Sequence, residues 1–135
     1  MSFQLDRTLE NDCYHIKDML FTSLLLYDDS RFLWFIMVPR KVMLEEVYDL
    51  TQEEQYQLFS EVSALSRLLK EKFTAEKVNM ASFGNIVRQF HVHVIGRYTT
   101  DPAWPKPVWC AVGERVPYEY EEVEKIKEQI YEFLF

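Results

Sequence analysis

The run FLWFIMV, Phe32 to Val38, has no polar face. Side chains of an extended strand alternate between two sides, so a strand that is apolar at every position has to be covered from both. A lone hairpin, or a sheet open on one side, would leave that surface in water. Thr22 to Tyr27 is a second β-favouring run, and Asp28-Asp29-Ser30 between the two are turn formers, so Thr22 to Arg40 reads as a hairpin. Pro39 ends the ladder because it has no N–H to donate.

A covering layer follows at once. In LTQEEQYQLFSEVSALSRLLKEKF, Thr51 with Glu54 three residues later makes a capping-box pattern at a helix start. Tyr56, Phe59, Val62, Leu65, Leu69 and Phe73 then recur at three- and four-residue steps and predict one apolar stripe. Lys70 and Lys72 suit the negative end of the helix dipole. EKVNMASFG and RQFHVHVIGR read as two more strands, joined by a short connection around Phe83-Gly84-Asn85. Three prolines make TTDPAWPKPVW a loop, with Trp104 and Trp109 as its anchors. Pro117 is placed for the first turn of a C-terminal helix whose stripe is Val123, Ile126, Ile130 and Phe133. The order is hairpin, long helix, strands, loop, helix, which is an α+β arrangement of an antiparallel sheet with helices packed on it. At 135 residues the chain fits a single domain, residues 1–135.

Composition narrows the classes of function. A formal net charge of −7 sets up a field that repels nucleic acid polymers, although a local cluster of N–H donors can still hold a small phosphorylated ligand. The two cysteines, Cys13 and Cys110, form no C-x-x-C pair. The opening MSFQLDRTLEND has no basic region ahead of an apolar one, and the longest apolar run is too short to cross a bilayer, so the expectation is a soluble cytoplasmic protein.

The stretch GNIVRQFHVHVIGR, residues 84–97, carries two of the three histidines. As a strand it puts Gln89, His91 and His93 on one side and Phe90, Val92 and Val94 on the other. Burial of the second side fixes the register, and with it a polar row whose histidines stand roughly 6–7 Å apart. Three readings fit. Both imidazoles could lie on the solvent side of an edge strand. They could chelate a metal, but zinc sites want three or four ligands, and His15, Cys13 and Cys110 show no matching spacing. Or a neutral imidazole could attack phosphorus and form a phosphoramidate that water later hydrolyses. That chemistry needs donors for the phosphate oxygens, a role open to the backbone at Gly84, Asn85 and Ile86.

GNIVRQFHVHVIGR resembles the signature of the histidine triad (HIT) superfamily of nucleotide hydrolases and transferases, Gly-Gln-(Ser/Thr)-Val-x-His-φ-His-φ-His-φ-φ with φ apolar. The resemblance extends over about residues 20–112, through the hairpin ending in VPR, the long helix and the Trp-Pro segment. The form Q-x-H-x-H with an AWPxPVW tail is similar to a bacterial branch described as diadenosine tetraphosphate hydrolase-like. The resemblance implies a HIT-like fold and His91 as the nucleophile on the α-phosphorus of a nucleotide. His93 would meet the bridging or leaving oxygen, and Gln89 takes the place of the first histidine. Gly84, Asn85 and Ile86 would hold phosphate oxygens, Asn79 the ribose, and Phe32 and Ile36 the base. Arg97 has the parity of His91 and is a candidate for an anionic ligand, and Trp104 for a loop folded over the site. Trp34 stands where many relatives have a further histidine, and an amide at Gln89 cannot carry a proton as imidazolium does.

The expected function is therefore a nucleotide phosphohydrolase or nucleotidyl transferase working through a nucleotidyl-histidine, with dinucleoside polyphosphates as candidate substrates. The alternatives are a weak or inactive nucleotide-binding sensor and a scaffold without a ligand. No cofactor site is visible in the sequence, which leaves room only for a divalent ion carried with the substrate. The resemblance also implies a homodimer, and the tail IYEFLF has apolar surface to dock on the body or on a partner.

Overall fold

The structure is a computed structural model, and it describes residues 1–134. Five strands make one antiparallel sheet: β1 (Cys13–Asp18), β2 (Thr22–Tyr27), β3 (Leu33–Pro39), β4 (Lys77–Ala81) and β5 (Val92–Arg97), in the order β1-β2-β3-β5-β4. A short helix α1 (Arg7–Asp12) precedes the sheet, the long helix α2 (Gln52–Glu71) links β3 to β4, and α3 (Tyr120–Leu134) ends the chain. The α+β sheet-and-helix class expected from the sequence is the one observed.

β3 is central and covered on both sides, as its composition requires. Phe35 and Met37 point into a core closed by Leu58, Val62, Leu65 and Leu69 of α2 and by Val123 and Ile130 of α3. Trp34, Ile36 and Val38 point the other way, into a second core closed by Leu9, Ala103 and Val108. The layer on that side is thus built from the N-terminal segment and the Pro-rich loop, and Ala103 and Val108 seat the loop more deeply than either tryptophan.

The capping box of α2 forms as read, with the Glu54 N–H donating to Thr51 Oγ1 at 3.1 Å and the Thr51 N–H to Glu54 Oε1 at 2.8 Å. The buried stripe is turned from the expected one. Tyr56 and Phe59 are exposed, while Leu58 and Glu61 are buried. Glu61 explains the rotation, because its carboxylate takes the Phe21 N–H, the Thr22 N–H and the Thr22 hydroxyl at the start of β2. Tying that residue inward leaves Phe59, about half a turn away, outside.

Three further differences have local causes. α1 and edge strand β1 are additions to the expected order. The connection before β5 is long, since β5 begins only at Val92: the Phe90 N–H donates to Leu44 O and leaves the ladder, while Ser82 Oγ donates to His91 O. And α3 starts at Tyr120 rather than at Pro117, because residues 116–118 are bonded to the β2–β3 turn. There Ser30 N–H donates to Val116 O, and the Val116 and Tyr118 N–H groups donate to Asp29 Oδ1 and Asp28 Oδ1. Arg31 pairs with the buried Asp29 carboxylate at 2.9 Å. The tail does dock on the body, with Tyr131 OH donating to Ile16 O; Phe135 of the IYEFLF run lies outside the described residues.

Candidate active site

β5 pairs with β3 on one side and β4 on the other, with His93 opposite Ile36 and Ala81. An interior strand has no solvent edge, and the histidines are only 4% (His91) and 6% (His93) exposed. The reading of two surface imidazoles on an edge strand is therefore excluded.

Each imidazole has its Nδ1 committed. His91 Nδ1 lies 2.7 Å from the carbonyl oxygen of Gln89, which can only accept, so in the neutral ring Nδ1 carries the proton and Nε2 the lone pair. Trp34 faces Ile95 in the register, one diagonal step from His93 on the same side of the sheet. Its indole N–H donates to His93 Nδ1 at 2.9 Å, and an indole nitrogen can only donate, so in neutral His93 the proton sits on Nε2. Burial, and secondarily the neighbouring His91, push the His93 pKa down to about 3, so this ring is neutral at physiological pH. The two rings stand 5.0 Å apart at 76°.

They open on a cavity of about 500 Å³ whose other walls include Phe83, Asn85, Ile86, Val87, Trp109 and Cys110. Trp109 packs edge-on against both His93 and Phe83, at 4.9 and 4.8 Å between ring centres. The backbone N–H groups of Gly84, Asn85, Ile86 and Val87 have no acceptor among the described residues and lie in an exposed loop beside the cavity. Among the described residues, no three His, Cys, Asp or Glu side chains gather as a metal ion would require. No helix among the described residues is long and apolar enough to cross a membrane.

The structure brings His91, His93, Asn85 and Ile86 together, with Gly84 next to them, and places the remaining candidates elsewhere. The Gln89 amide is turned to the N-terminal segment, accepting from the Asp6 N–H and donating to Gln4 O at 2.9 Å each; only its backbone carbonyl serves His91. Arg97, expected at an anionic ligand, is 1% exposed and fully engaged with Asp101, Asn79 Oδ1 and Lys106 O. That occupies Asn79 as well. Trp104 lies over the Arg97 guanidinium at 5.6 Å and is absent from the cavity wall. Phe32 and Ile36 are sealed in the second core. The aromatic wall instead comes from Phe83 and Trp109, and nothing in one sequence distinguishes Trp109 from Trp104 in the same loop. His15 bonds Asp18 on β1, away from the site.

The HIT domain model matches residues 9–100. The chain belongs to the HIT domain family. Its fold is shared over the full length with a histidine triad protein from Bradyrhizobium japonicum, at 34% identity, 100% coverage of both chains and a TM-score of 0.96. A HIT protein from Sinorhizobium meliloti is 40% identical over 97% of this chain and 96% of its own, with a TM-score of 0.93. One from Marinobacter aquaeolei is 39% identical over 99% and 97%, with a TM-score of 0.94. No curated protein matches the sequence. HIT proteins in general bind nucleotides and act on them as hydrolases or transferases.

Proposed function

We propose that this HIT protein is a nucleotide phosphohydrolase or nucleotidyl transferase that works through His91, with dinucleoside polyphosphates as the candidate substrate class. The observation that carries the reading is the Gln89 carbonyl on His91 Nδ1, which leaves the Nε2 lone pair for the cavity. In this scheme Nε2 attacks the α-phosphorus and the bond from phosphorus to the leaving oxygen breaks, its electron pair departing with the leaving phosphate. The phosphorylated imidazole is cationic, and its Nδ1–H stays on the Gln89 carbonyl, which stabilises the charge as it forms. Water then attacks phosphorus, the N–P bond returns its electron pair to the ring, and the water proton passes to solvent. The unpaired amides of Gly84 to Val87 supply donors for phosphate oxygens without a lysine or arginine. Phe83 and Trp109 offer flat apolar surface to a base.

Intact-mass measurement after mixing with diadenosine tetraphosphate tests the reading. A nucleotidyl adduct that disappears in His91→Ala is expected. No adduct and no turnover across a panel of nucleotide anhydrides, esters and amidates would sink it. A second reading, a nucleotide sensor without turnover, is favoured by Trp34, which occupies His93 Nδ1 and adds no proton carrier. Calorimetry that shows binding with no product released would select it. A homodimer remains part of the proposal, with sedimentation velocity as its test.

A further inference from the structure

We propose that Trp34 is a positioning residue whose indole N–H holds His93 in the Nε2–H form, so that the two imidazoles present opposite functions to one cavity. His91 offers a lone pair, and His93 offers an N–H. What that N–H is used for rests on the functional reading above; the protonation pattern itself does not.

The chain builds this opposition from unlike partners. A backbone carbonyl accepts from His91 Nδ1, while a side-chain donor occupies His93 Nδ1. Trp34 has little freedom to release its partner, for its ring is wedged against Tyr27 at 4.4 Å, Trp109 at 5.2 Å and Phe32 at 6.2 Å. His91 and Cys110 are the titratable groups that share the cavity with His93, and its other walls are aromatic, aliphatic or amide. No carboxylate is there to draw a second proton onto His93.

The consequence concerns the leaving group. His93 can donate a hydrogen bond through Nε2–H, but surrendering that proton would leave an imidazolate, so it cannot protonate what departs. Cleaving a P–O bond to phosphate needs no proton at neutral pH, because the electron pair leaves on a stable anion. Cleaving a P–N bond leaves the pair on an amine nitrogen, which has to take up a proton. The Trp34–His93 pair therefore selects anhydrides over amidates.

Two-bond proton–nitrogen spectra of the nitrogen-15-labelled full chain decide the matter. The wild-type His93 ring is expected to show a protonated Nε2 and a bare Nδ1, unchanged from pH 5 to pH 8. A protonated Nδ1 in the wild type overturns the proposal without any variant. Trp34→Phe keeps an aromatic ring and removes the donor; a mixture of forms at His93 is expected, and an unchanged Nε2–H form overturns the role of Trp34. In turnover, Trp34→Phe frees His93 Nδ1 to take a second proton from solvent, and the cationic ring can then give its Nε2 proton to a leaving amine. The kcat/KM ratio of adenosine phosphoramidate to diadenosine tetraphosphate is therefore expected to shift in favour of the amidate, by about tenfold or more and most at low pH. An unchanged ratio overturns the selection. If neither substrate turns over, it is the functional reading that fails, and the ring spectra still decide the protonation pattern.

Discussion

The two sides of the sheet are both covered, yet by different means. On one, α2 and α3 lay down aliphatic side chains at helical spacing, and the core they close is continuous. On the other, the cover is an N-terminal segment and a loop, pinned by Ala103, Val108 and Leu9, and a cavity lies open where this cover stops, at His91 and His93. The cavity on the helical side, between Phe59 of α2 and Met80, Phe90 and Val92, has no titratable side chain in its wall. Irregular chain leaves a gap and can furnish it with unpaired amides and aromatic edges, which is why a site forms on this side.

The comparison predicts that substitutions at the gap change chemistry and those in the supports change stability. The largest effect belongs to His91→Ala, expected to lower kcat on the order of 10³-fold or more with only a small shift in melting temperature. Retained turnover would move the nucleophile off this face. Arg97→Met should do the reverse. It strands the buried Asp101 carboxylate, at a cost of about 3–5 kcal/mol in urea unfolding, while the folded fraction keeps its kcat. A loss of substrate affinity at unchanged stability would instead return Arg97 to the ligand.

Acid should act through His93. Its folded pKa, about 3, lies below the ordinary value near 6.5, so between those pH values the unfolded chain binds a proton that the folded chain does not. Its contribution to stability is therefore full above pH 6.5 and is lost as the pH falls, by roughly 2 kcal/mol between pH 7 and pH 5. Chemical denaturation at the two pH values measures it, and His93→Gln, which keeps an acceptor for Trp34, should remove that part of the slope. The smallest effect is expected for Gln89→Ala, about 1 kcal/mol from freeing the N-terminal segment, with kcat within a few-fold of wild type. A drop in kcat of a hundredfold would put the amide on the substrate after all.

Legibility in the sequence followed the same division. The all-apolar β3, the Thr51–Glu54 capping box and the histidine register could be read because periodicity and local hydrogen bonding determine them. The rotation of α2 could not, since it depends on Glu61 meeting amides about 40 positions away. Nor could the partners of Gln89, Asn79 and Arg97. Their types suit a ligand as well as a neighbour, and only the folded chain shows that Asp6, Gln4 and Asp101 already hold them. Trp109 and Trp104 carry the same chemistry in one loop, and their separation into cavity wall and Arg97 cover is a matter of tertiary packing.

The clasp between the hairpin turn and residues 116–118 has a consequence for synthesis. Asp28 and Tyr118 are 90 positions apart, so the turn's carboxylates gain these backbone donors only after those 90 further residues have left the ribosome. The hairpin can pair early, but its tip stays unlatched until the segment ahead of α3 arrives. A chain released before that segment would hold both histidines and still lack the fastening that keeps β2 and β3 in place beneath them.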